Sequence, residues 1–236
     1  MRSLLSMILL AGLLLTSCNR EPTPADIVAA NEEAWTRLEG RIAKIRTTID
    51  VMPDVRAGDV IDVGELPPPL FDAPPALPGN ALTIPFEGLE DLTTVVEEPL
   101  RLARRDALHH LASYQARGVD LDGHALLPVD TLESWYAHVT QAQYLLVVRI
   151  DRYETPSWIM DTLIPGHVEG IAWLFDLQAG KPLGGYLIKV ESTPPTGKRP
   201  SDRAMLAALH REAILAIRAG IETIDGARPP FGDLLQ

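Results

Sequence analysis

The chain has 236 residues, a formal net charge of −11 at pH 7 and a single cysteine. That length suits one good-sized domain with an extension, or two small ones. An acidic excess of this size repels phosphate backbones and excludes nucleic acid as a partner, and a lone cysteine excludes an intrachain disulfide, so the fold must rest on its apolar core.

Arg2 precedes an apolar run from Leu4 to Leu15, which closes on Leu15-Thr16-Ser17-Cys18. A basic start, a short apolar core and small residues at a cut site are the parts of a secretory signal. The run is too short to span a bilayer, which takes about 20 residues. A buried helix would not normally stop at the polar Asn19-Arg20-Glu21. With a branched apolar residue and two small ones before a cysteine, the segment resembles the lipobox of bacterial lipoproteins. The resemblance covers residues 1–18. It implies that residues 1–17 are removed as a signal peptide and that Cys18 carries a diacylglyceryl thioether plus further acylation, palmitate being typical of such chains. The protein would then be held by lipid to a membrane of the cell envelope, facing periplasm or exterior. Two or more chains anchor stably where one is marginal. Asn19 stands where an aspartate would imply inner-membrane retention, which points to the outer membrane in a Gram-negative source.

Residues 23–50 predict a helix, with Thr23 as cap, Pro24 at the first helical position and Asp26 closing a capping box. Val28, Trp35, Leu38, Ile42, Ile45 and Ile49 recur at three- and four-residue steps, with Asn31 at one seam position. Such a stripe either packs on the chain's own body or pairs with a second copy, so self-association through residues 28–49 is one expectation. Pro53 ends the helix. From Met52 to Pro85 the chain holds Pro67-Pro68-Pro69, Pro74-Pro75 and Pro78, which favour a polyproline-type linker or a strap across the surface. The expected division is a signal peptide (1–17), a lipidated cysteine and amphipathic helix (18–52), a linker or strap (53–79) and a globular domain (80–236).

In that domain Leu82 to Phe86 predicts a short strand, Pro99 to Arg117 a helix stopped by Gly118, and Asp130 with Glu133 the capping box of another helix. Gln143 to Arg152 is apolar on both faces and predicts a central strand. His167 to Leu177 and Leu183 to Glu191 predict two more, the latter with the half-polar pattern of an edge. Asp176 to Lys181 predicts their hairpin turn, with Gly180 left-handed, and Gly184-Gly185 a bulge. Ser201 to about Asp225 predicts a last helix. The class is α+β: an antiparallel sheet of three or four strands packed by helices, behind an N-terminal helix and a proline-rich spacer. From Gln143 to Thr193, Ala142-Gln143-Tyr144-Leu145-Leu146-Val147 leads into Leu174-Phe175-Asp176-Leu177-Gln178-Ala179-Gly180-Lys181. This is similar to α+β domains of envelope lipoproteins of the curli-secretion and penicillin-binding-protein-activator style, and it implies no functional residue.

Chemistry is sparse. The six histidines form no metal-binding spacing, and His109 and His110 point to different faces of a helix. His167 and Glu169 share a strand face and read as a solvated strand start. Asp120-Leu121-Asp122-Gly123-His124 opens like a calcium loop, but the positions that need glycine and glutamate hold Ala125 and Thr131, so a polar turn is expected. Arg101, Arg104 and Arg105 follow Glu97 and predict a paired, solvated face. No nucleophile elbow or phosphate loop occurs. The expectation is no catalytic residue, metal or cofactor. Thr155 to Gly166 joins two strands yet holds Trp158, Ile159, Met160, Leu163 and Ile164, which either tuck onto the body or meet a partner. The expected role is non-enzymatic binding or scaffolding of an envelope protein or glycan; the alternative is a lipid-anchored hydrolase or small-ligand binder with a site from dispersed residues.

Overall fold

The computed structural model describes residues 21–52, 55–56, 59–71, 79–93, 100, 107–120, 122–125, 127–192 and 200–230. The lipobox with Cys18, and Arg101, Arg104 and Arg105, lie outside them.

Helix α1 runs Pro24–Ile49 and starts as its sequence predicts: Thr23 and Asp26 cap one another, the Thr23 amide donating to the Asp26 carboxylate at 2.8 Å. Its stripe is spent on the chain's own core. Trp35, Leu38, Ile42, Ile45 and Ile49 are buried, with Ile27 above them. Each such side chain contributes about 1.5–3 kcal/mol on leaving water. Asn31 donates to the Ile27 carbonyl at 2.9 Å, so the polar seam residue is satisfied within its own helix. The core therefore takes in residues well ahead of Asn80.

Two further helices, α2 (Ala107–Arg117) and α3 (Val129–Gln141), share that core cluster with α1. Gly118 ends α2 with φ +70° and donates back to the Tyr114 carbonyl, the left-handed stop glycine favours. The expected cap of α3 is displaced: Pro128 is the cap residue and Asp130 lies inside the first turn, because Pro128 already supplies extended backbone and needs no N–H there.

The main sheet has the order β1-β2-β5-β6, formed by β1 (Ala81–Pro85), β2 (Tyr144–Glu154), β5 (His167–Asp176) and β6 (Lys181–Glu191). A separate hairpin, β3 (Ser157–Ile159) with β4 (Thr162–Ile164), sits between β2 and β5 in the chain. The sheet is mixed rather than wholly antiparallel. β1 pairs parallel to β2, and the other pairs are antiparallel. Parallel pairing needs a long crossover, and the stretch carrying α2 and α3 supplies it.

Alternate side chains explain the doubly apolar strand. Leu145 and Val147 join Leu82, Ile84, Ile171, Trp173 and Phe175 under α1–α3. Tyr144, Leu146 and Val148 join Ala172, Leu174 and Ile188 under the last helix, α4 (Asp202–Glu222). Helices on both faces leave this stretch of β2 no wet side.

The described part of the proline-rich stretch is a strap. Ile61 and Phe71 are buried in the α4-side cluster, the Asp62 amide donates to the Leu183 carbonyl at 3.0 Å, and the Phe71 amide donates to the Arg228 carbonyl at 3.0 Å. The Tyr144 hydroxyl donates to the Pro67 carbonyl. Gly184 makes this approach possible: its φ is +136°, and a Cβ there would stand 2.7 Å from the Val60 carbonyl oxygen. The bulge expected at the glycine pair is present, as the register slips between Leu174–Gly184 and Phe175–Pro182.

Candidate functional site

Past Val148 the strand β2 no longer has β1 beside it. After a register slip between Ile150 and Arg152, β2, β5 and β6 continue as a three-stranded arm, with Val168 and Tyr153 still packed in the α4-side cluster. Pro156 and Gly166, both buried, bend the arm into the β3–β4 hairpin. A side chain on Gly166 would meet the Glu154 carbonyl at 2.7 Å, so the bend requires glycine.

Pairing is Ser157–Ile164, Trp158–Leu163 and Ile159–Thr162. Because side chains alternate across a strand, Trp158 and Leu163 share one half-buried face, and Ile159 and Ile164 share the other. Ile159 is 59 % exposed, Ile164 41 %, and Met160, in the two-residue turn, 89 %. Of the five apolar residues that the sequence singles out, two lean inward and three project.

The arm is tied down at its base. The Gly166 amide donates to Ser192 Oγ at 2.7 Å, and the Ser192 amide returns a bond to the Gly166 carbonyl at 2.8 Å. Tyr153 Oη stands 2.6 Å from His210 Nε2, joining the arm to α4. Burial pushes the Tyr153 phenol above its ordinary range, so it keeps its proton. Its flanks are charged and paired, Arg152 with Glu154 at 2.8 Å and Lys189 with Glu169 at 3.9 Å. This Glu169–Lys189 pairing also answers the shared strand face of His167 and Glu169: Glu169 faces a cation across the ladder.

Met160 carries a backbone cost. Its φ is +53°, and it is the one non-glycine residue with positive φ among those described. A positive φ at the first turn position is the pattern of a type II′ turn, which glycine fills best; an L residue there costs about 1–2 kcal/mol. Met160→Gly should therefore raise stability by up to about 1 kcal/mol in urea titration, even though it deletes a large apolar side chain. A loss of stability would show that the Met160 side chain packs on the body.

A second cluster lies at the far side of α2. The turn enforced by Gly118 brings the chain back so that Asp120 Oδ1 accepts the backbone amides of Asp122 at 3.0 Å and His124 at 2.8 Å. Asp120 Oδ2 faces His124 Nδ1 at 3.1 Å and His110 Nδ1 at 3.7 Å. Asp120 is only 5 % exposed. Burial alone would raise its pKa, but the bonds from His124, with a smaller one from Asp122, outweigh it and hold the carboxyl below its usual range. The His110 ring stands 5.3 Å from that of Trp135 on α3. His109 points elsewhere, as adjacent helical positions must. It is fully buried, both ring nitrogens lack a hydrogen-bond partner among the described residues, and Nε2 lies over Gly88.

The polar turn that the sequence predicts is present, the Gly123 amide donating to the Asp120 carbonyl at 3.1 Å, but the return of Asp120 to His110 is not part of that expectation. The available signal was Gly118: a helix stopped two residues before an aspartate folds that carboxylate against the turns just completed.

Among the described residues, no helix is long and apolar enough to cross a membrane. Compared with protein-family models, curated proteins and solved structures, the chain finds no match.

Proposed function

We propose that this protein is a lipid-anchored lipoprotein of the bacterial envelope whose role is to bind a protein partner through the β3–β4 hairpin. The carrying observation is the exposure of Ile159, Met160 and Ile164 on an arm whose base is fixed by Gly166, Ser192, Tyr153 and His210. Apolar side chains projecting from a braced hairpin carry a standing hydration cost that a partner's apolar surface removes. Holding them rigid reduces the ordering cost of association. A glycan, rich in hydroxyls, gains little from such a tip, so the partner is a protein. The anchor rests on the lipobox, Leu15 to Cys18, and on the acidic chain's lack of attraction for anionic headgroups, which leaves acylation as the means of retention.

Cys18→Ala is expected to abolish incorporation of labelled palmitate and to shift the chain from the membrane pellet to the soluble envelope fraction. Retention of the unlabelled variant in the pellet would contradict the anchor. For the hairpin, a photo-crosslinking residue in place of Met160 in living cells should give one discrete adduct, absent when Ile159→Asp and Ile164→Asp are combined with it. An adduct pattern indifferent to those two changes would overturn the binding role.

A further inference from the structure

The His110–Asp120–Asp122 cluster has a use that the hairpin does not explain. We propose that these three side chains form a binding site for a divalent transition-metal ion of the zinc class. Each offers one donor atom, and the three donors lie within 4.8 Å of one another. Donors held at about 2.0–2.2 Å from a tetrahedral ion stand about 3.4 Å apart. The 3.7 Å between His110 Nδ1 and Asp120 Oδ2 is close to that spacing and too long for a hydrogen bond.

The carboxylate is already aimed. Two backbone amides occupy Asp120 Oδ1, which leaves Oδ2 turned toward His110. Oδ2 has two lone pairs; His124 Nδ1–H, at 3.1 Å, satisfies one, and the other is available to an ion. A ligand held by hydrogen bonds from a surrounding shell is what metal sites require beyond the ligands themselves. The ligands come from α2 and from the loop that follows it, so an ion would clip the loop to the helix. Asp122 is exposed and supplies the entry side, where water completes the coordination. The donor set chooses the ion. Calcium takes six to eight oxygens, whereas one imidazole with two carboxylates suits zinc and its neighbours.

The test uses the full chain without a polyhistidine tag, purified in detergent and stripped with EDTA. Cobalt(II) is titrated in while the visible d–d absorbance is followed, and zinc is then used to displace it. The expected result is saturation at one ion per chain, with zinc displacing cobalt. His110→Gln and Asp122→Asn should each weaken binding at least about tenfold. Both substitutions leave the Asp120 Oδ1 bonds that hold the loop, and circular dichroism reports whether the fold is retained. No saturable uptake, or an unchanged affinity in folded His110→Gln, would overturn the site.

Discussion

Replacing Ile45 by alanine should lower the stability of the whole fold by about 2–5 kcal/mol. Ile45 is fully buried, with Leu38, Ile42 and Ile49 in the same cluster, and that cluster continues through α3 into the sheet residues Leu145, Val147 and Trp173. Truncation removes the transfer energy of the missing carbons and leaves a cavity that surrounding layers close only in part. Total stabilities run about 5–15 kcal/mol, so the loss is a large share of the whole. Urea unfolding followed by tryptophan fluorescence checks it: the midpoint should fall with the slope unchanged, because the same surface unfolds in one transition. If α1 were a tether between a lipid and a separate body, the main transition would keep its midpoint and only a small helical signal would change. The prediction thus separates a helix in the core from a helix on a leash.

That distinction also marks where the sequence stops being readable. The α1 stripe, its Thr23–Asp26 cap, the buried β2 run and the turn at Gly180 follow from local rules, and each stands where periodicity and capping place it. Periodicity says that a face is buried and not against what. Trp35 and Ile42 serve equally well for a dimer seam or for the chain's own α3, and only the tertiary arrangement decides. The same holds for β1. Five residues identify a strand, but its parallel direction depends on a crossover of helices that no local signal announces. The strap was legible as proline-rich backbone, while its docking depends on Gly184, whose missing side chain matters only because Val60 lies over it.

The candidate sites divide along the same line. Alternation made the hairpin face partly readable, since Trp158 with Leu163 and Ile159 with Ile164 follow from pairing across a two-residue turn. The His110–Asp120 contact crosses a helix end and has no periodic signature. Its parts were visible, and its geometry depends on how sharply Gly118 turns the chain.

His109→Leu should make the protein resistant to mild acid. Burial foremost, with the neighbouring His110 second, lowers the pKa of His109 from 6.5 to about 4. Between those values the unfolded imidazole binds a proton that the folded one refuses, so the unfolded state gains and stability falls as pH falls. Stability from this source is complete above about pH 6.5 and is lost on the way down to about pH 4, a difference of about 3 kcal/mol. Leucine removes the titrating group. It also removes two ring nitrogens that are buried without partners among the described residues, each an uncompensated desolvation of about 1–3 kcal/mol, so stability at neutral pH should hold or rise. The ring nitrogen Nε2 lies over Gly88, which presents no side chain against a leucine there. Urea midpoints at pH 7.5 and 4.5, both in EDTA so that no metal at His110 contributes, give the answer. The wild-type chain should lose about 2.5 kcal/mol between the two pH values beyond what the variant loses. An equal loss in both would mean that His109 takes up its proton while folded, as it would if water reached the ring beneath Gly88.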